Sequence, residues 1–161
     1  VTLVLGILVF VTVQRLAELV LARRNTARLM AQGAVEAAPG HYPLIVLLHG
    51  AWLAGLWYLA LGQDVSVGWL ALFAALQALR VWVLVTLGPR WTTRIIIVPG
   101  APLVRKGPYR FLSHPNYAVV AGEMLVLPLV FGLVWYGVVF SLLNAAVLAV
   151  RISAENKALA R

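Results

Sequence analysis

The chain has 161 residues, of which 63% are hydrophobic and 11% charged, with a formal net charge of +8. A soluble domain is typically about 45–50% apolar and about 25% charged, so this composition excludes an ordinary soluble globule and makes the bilayer the expected solvent. There are no cysteines, which excludes disulfides, thiol nucleophiles and thiolate metal sites.

A spanning helix needs about 20 mostly apolar residues. The first such run covers residues 1–22. No basic residue precedes it and Arg23-Arg24 follow it, so a retained helix is expected rather than a cleaved secretory signal. The second run covers residues 42–61 and the third 67–87. After a polar middle segment, residues 118–150 are nearly continuously apolar. That is too long for one perpendicular helix. Pro128, Gly132 and Gly137 sit where a turn would divide it, and Gly132-Leu-Val-Trp is the expected turn. The reading is an all-α membrane protein, a single domain over residues 1–161, with about five transmembrane helices, the last two a helical hairpin. One long tilted helix is the alternative for the last pair. No internal repeat or low-complexity tract interrupts the pattern.

The basic residues do not suggest nucleic acid. Arg23, Arg24 and Arg28 follow the first helix. Arg90, Arg94, Arg105, Lys106 and Arg110 lie between the third and fourth, and Arg151, Lys157 and Arg161 close the chain. The connections around Gln63-Asp64 and Gly132 carry no Lys or Arg. The positive-inside rule then puts the N-terminus outside and the C-terminus in the cytoplasm, with the basic segments near anionic headgroups.

Charges also fall inside the apolar runs. Arg15 and Glu18 share a face of the first helix. The expectation is an ion pair between them near the cytoplasmic end, with Arg15 snorkelling. Arg80 follows Gln77 by a turn, and Glu123 is expected to turn back toward the polar segment and pair with an arginine. His41 and His49 flank the start of the second helix, and His49 is expected to pack as a polar group between helices. No compact set of ligands suggests a metal site.

The densest polar stretch is GPYRFLSHPNY, residues 107–117. Gly107-Pro108 favours a turn. Tyr109, Phe111 and Tyr117 offer flat apolar faces for a ring, with phenolic donors at their edges. Pro115 disfavours a helical His114 and makes a natural start for the fourth helix. Further on, RISAENKAL, residues 151–159, places Arg151 and Glu155 one turn apart on a shared helix face. That face presents a basic and an acidic group side by side. A membrane-surface loop with interfacial tyrosines is the plainer alternative.

In their order and spacing these segments resemble the isoprenylcysteine carboxyl methyltransferase family, integral membrane enzymes that use S-adenosylmethionine. The family pattern runs Gly-x-Tyr, His-Pro-x-Tyr, a hydrophobic hairpin, then Arg-x-x-x-Glu-Glu. The resemblance covers the chain from about residue 99 to 161, the expected cofactor half. The segments QRLAELVLARRN and GAVEAAPGHYP also look like small bacterial members. The resemblance implies that Leu103 and Val104 border the cofactor through their backbone. It places Tyr109, His114, Pro115, Asn116, Tyr117 and Glu155 at the cofactor. It sets Arg151 at the reacting end of the substrate. Two positions depart from the pattern: Ser113 stands where arginine is common, and Asn156 replaces the second acidic residue. The second departure puts in doubt any role needing two carboxylates.

The resemblance further implies direct methyl transfer to an oxygen of a prenylated or other lipid-like acceptor, with S-adenosylhomocysteine as product. An ionised carboxylate, the first choice, needs no base. A polyketide-derived phenol or enol would need His114 or Glu155 to take its proton. A membrane scaffold that keeps the fold without the chemistry is the non-enzymatic alternative. The lipid tail is expected to enter from the bilayer and the cofactor from the cytoplasm.

Overall fold

In the computed structural model, residues 2–159 are described. Val1 of the first apolar run and Arg161 of the basic tail lie outside the described residues.

Five α-helices follow in chain order: α1 Thr2–Ala31, α2 Tyr42–Leu59, α3 Val67–Leu87, α4 Pro115–Val130 and α5 Val134–Leu159. This is an all-α membrane protein. Four of the helices are long and apolar enough to cross a bilayer. At 1.5 Å per residue the remaining helix, α4, is only about 24 Å long. Its composition explains how it manages. Val119, Glu123, Met124, Val126, Leu127 and Val130 are all buried, so α4 is the inner helix of the bundle and α3 and α5 shield it. The first helix is longer than its apolar run. It continues past Ala22 to Ala31, because nothing in RRNTARLMA breaks a helix and its arginines are free to reach headgroups.

The long apolar stretch divides where glycine permits it. Gly132 adopts a φ of 73°. The Leu133 amide donates to the Pro128 carbonyl at 3.0 Å and the Gly132 amide to that of Leu129 at 3.1 Å. That is the Schellman closure of a helix C-terminus.

The loops cluster by charge. Two-residue strands β1, Val35–Glu36, and β2, Ile96–Ile97, pair antiparallel, Val35 with Ile97 and Glu36 with Ile96. They bind the α1–α2 connection to the α3–α4 connection at one end of the bundle. Arg94 reinforces this tie, meeting Glu36 at 2.9 Å and lying over the Tyr42 ring at 4.0 Å. At the other end, the Ser66 amide donates to the Val130 carbonyl at 2.8 Å, so the two turns without Lys or Arg are also neighbours.

The core joins α1, α2, α4 and α5 through Val4, Leu8, Val11, Trp52, Leu56, Leu127 and Tyr136. Its polar atoms are satisfied across helices. Trp52 Nε1 donates to the Met124 carbonyl at 3.2 Å, and the Tyr136 hydroxyl donates to the Trp52 carbonyl at 2.7 Å.

The expected Arg15–Glu18 pair is not what forms. Both residues reach across to other helices. Glu18 accepts from Arg80 of α3, whose Nε lies 2.7 Å away. Arg80 also meets Glu123 of α4 at 2.7 Å, and Arg15 reaches Glu123 at 3.3 Å. Glu123 therefore pairs with intramembrane arginines, not with one in the polar segment. Gln77 donates to Glu123 and accepts from Gln14 at 2.6 Å. Two arginines and two glutamates make a buried network of zero net charge. A pair along one helix would leave each charge facing lipid, whereas the cross-helix arrangement removes all four from it.

Candidate active site

A cavity of about 450 Å³ opens among the basic-end loops and the inner faces of the helices. The segment 107–117 forms part of its wall because its turn is pinned. Gly107 has a φ of 59°, and a Cβ there would lie 2.5 Å from the Thr86 hydroxyl of α3. The turn therefore sits flush on α3, and Tyr109 lines the cavity from it. Pro115 is buried at the first position of α4. Its ring fixes the helix start and places His114 as the N-terminal flanking residue.

The start of α4 then meets the end of α5. Tyr117 donates its hydroxyl to Glu155 Oε2 at 2.9 Å. His114 Nδ1 lies 3.2 Å from Glu155 Oε1, and its Nε2 lies 3.0 Å from Asn156 Oδ1. The His114 and Tyr117 rings stack, with centroids 5.4 Å apart and planes 25° off parallel. One turn back along α5, Arg151 is buried and donates Nη2 to the Thr93 carbonyl at 2.8 Å.

Leu103, Val104, Tyr109, His114, Asn116, Tyr117, Arg151 and Glu155 all line this cavity. Of the residues expected at the site, Pro115 alone does not line it; it acts on the backbone.

Other lining residues carried no motif. The stretch from Arg90 to Ile97 forms a wall. Its arginines, read from sequence only as topology signals, hold loops in place, Arg90 donating to the Pro102 carbonyl at 2.8 Å. Tyr42 bonds Thr93 at 2.9 Å and belongs to the same wall. Arg15, Glu18 and Arg80 extend the lining inward, and His49 joins from α2. The usable signal in the sequence was the polar-aromatic run RWTTR directly after a membrane helix.

Residues 69–161 match the isoprenylcysteine carboxyl methyltransferase (ICMT) family. The chain belongs to this family. It is thus an integral membrane protein of a methyltransferase family whose members use S-adenosylmethionine. It is also 43% identical over 152 residues to a Bacillus subtilis (strain 168) protein described as uncharacterized protein YpbQ, covering 91% of this chain and 90% of that protein. No solved structure gives a significant match.

The donor set fits the family's cofactor. Glu155 offers an anion, Arg151 a cation, and the stacked His114 and Tyr117 a flat face. The cavity volume lies within the usual range for small-molecule sites, about 300–1,000 Å³.

Proposed function

We propose that the protein transfers a methyl group from S-adenosylmethionine to an oxygen of a lipid-like acceptor held within the membrane. The observation that carries this reading is the meeting of His114, Tyr117 and Glu155 beside Arg151 on one cavity wall. In this reading Glu155, Tyr117, His114, Asn116, Tyr109 and the backbone at Leu103 and Val104 hold the cofactor. Bound there, S-adenosylmethionine supplies a methyl group on a cationic sulfur. Glu155 complements the positive end of that molecule, and the rings of His114 and Tyr117 bear on its flat portion.

Arg151 holds the acceptor. Its bond to Thr93 uses one donor, and a guanidinium has five, so further donors can grip an oxygen anion. A carboxylate acceptor arrives ionised and needs only that grip. The protein's work is then alignment and the exclusion of water. The apolar tail stays between helices or in lipid. The polar cofactor reaches the site from the basic end, which the positive-inside rule puts in the cytoplasm.

The test is methyl-label transfer. Purified protein in lipid nanodiscs, given S-adenosylmethionine with a labelled methyl group and a total lipid extract, should move label into the organic phase. Label confined to the aqueous phase, with the protein folded, would support a non-catalytic scaffold.

A further inference from the structure

Arg151 lines the cavity but is buried, so its aim is set by what grips it inside the protein. Its Nη2 donates to the Thr93 carbonyl at 2.8 Å, and its guanidinium also bonds Tyr117. Tyr117 belongs to the start of α4. The Thr93 carbonyl belongs to the loop between α3 and α4, and a main-chain acceptor is only as fixed as the loop that carries it. What holds that loop therefore decides where Arg151 points.

The hold comes from the other half of the chain. Asn25 of α1 donates Nδ2 to the Trp91 carbonyl at 2.8 Å. The Ala37 amide donates to the Ile95 carbonyl at 2.8 Å, next to the pairing of β1 with β2. Between these two ties stands one side-chain contact. The hydroxyl of Tyr42, the first residue of α2, bonds Thr93 Oγ1 at 2.9 Å. Tyr42 is itself held, because the Arg94 guanidinium lies over its ring at 4.0 Å and is tied to Glu36 at 2.9 Å. Thr93 thus joins two contacts: its carbonyl receives Arg151 and its hydroxyl meets Tyr42. Asn25, Glu36, Ala37 and Tyr42 all precede residues 69–161, the part that matches the family. The matched part supplies Arg151, and the part before it steadies the loop on which Arg151 leans.

We propose that Tyr42 is a positioning residue for methyl transfer, acting through Thr93 to aim the Arg151 guanidinium, with Arg94 and Glu36 keeping its ring in place. This rests on the methyl-transfer reading above and deepens it. In this role Tyr42 moves no proton and grips no ligand. Without its hydroxyl, Thr93 loses its side-chain partner and its carbonyl is free to shift between the ties at Trp91 and Ile95. Arg151 follows the carbonyl. A misplacement of about 1 Å, caused at a distance from the chemistry, can cost about 10²-fold in rate. The cofactor wall does not follow, because His114, Tyr117 and Glu155 bond one another.

The test compares Tyr42→Phe, which removes only the hydroxyl, with Thr93→Val, which removes the facing hydroxyl and keeps the carbonyl. In nanodiscs, with labelled S-adenosylmethionine and a total lipid extract both saturating, each should turn over about tenfold more slowly than wild type. The double variant should be no slower than either single one, because both cut the same bond. Thr93→Ser keeps a hydroxyl and should keep most of the rate. Affinity for S-adenosylhomocysteine should be unchanged in all of them, which also reports that they are folded. In an Arg151→Lys protein, Tyr42→Phe should cost less than about twofold further, because the group it aims has been replaced. A second readout needs no acceptor. Phenylglyoxal, which modifies accessible guanidinium groups, should label Arg151 faster in Tyr42→Phe than in wild type, as read by peptide mass. Full turnover in Tyr42→Phe, an undiminished tenfold loss on top of Arg151→Lys, or equal labelling of Arg151 would overturn the proposal. So would cofactor affinity or melting temperature falling in step with turnover, which would make the contact merely structural. All four results leave the methyl-transfer reading standing. Failure of the wild type to bind S-adenosylhomocysteine at all would sink that reading, and this one with it.

Discussion

Glu155 and Arg151 sit one turn apart on α5 and both reach Tyr117, but Glu155 also meets His114 whereas Arg151 also donates to the Thr93 carbonyl. Their variants should therefore separate. Glu155→Gln removes the anion and should mainly raise the cofactor concentration needed for activity. Arg151→Lys keeps the charge but loses the planar fork. It should lower turnover by roughly tenfold, since a hydrogen bond to a charged group contributes about 1.5–3 kcal/mol, with cofactor affinity unchanged. Parallel loss of both properties and of melting temperature in both variants would make the pair structural. Glu123→Gln should act differently again. It leaves Arg80 and Arg15 short of an anion in a buried network, and breaking such a pair costs about 3–5 kcal/mol. A large drop in melting temperature in detergent is expected, and an unchanged one would contradict the network's structural role. At this scale the motif residues were legible in sequence because their chemistry is packed into two short segments. The partners of Arg15, Glu18 and Glu123 were not, because spacing along one helix says nothing about which face meets a neighbour.

The helices were readable from apolar run length, and α3 begins and ends where its run does. The boundary between α4 and α5 followed from glycine, which alone enters the positive-φ region without strain. The length of α1 was missed because hydropathy reports the solvent of a segment, not its helicity. The two-residue strands were missed because their pairing spans distant loops. Docking between elements depends on small residues that no hydropathy pattern marks. At Gly55 of α2 an added Cβ would lie 2.1 Å from the Tyr136 hydroxyl of α5. Gly55→Ala should force Tyr136 aside, break its bond to the Trp52 carbonyl and cost about 1–3 kcal/mol, as overpacking does. A thermal melt in detergent checks this, and a variant as stable as wild type would show that the α2–α5 contact is loose.

Across the whole molecule, the basic connections meet at one end and the turns without Lys or Arg at the other. The native chain lacks cysteine, so single cysteines can map the sides. Asp64→Cys should react with an impermeant maleimide on intact cells, and Gln32→Cys only after permeabilisation. Labelling of both from outside would overturn the orientation. The cavity joins the motif-bearing half to α1 and α2, and the binding of cofactor there is the claim on which the rest stands. The most direct measurement is calorimetric titration of S-adenosylhomocysteine into the wild-type protein and Tyr117→Ala in nanodiscs. Saturable one-to-one binding by the wild type, weakened at least tenfold in a Tyr117→Ala protein that remains folded (about 1.4 kcal/mol), is the predicted result. No heat with wild type, or equal affinity in the two proteins, would contradict it.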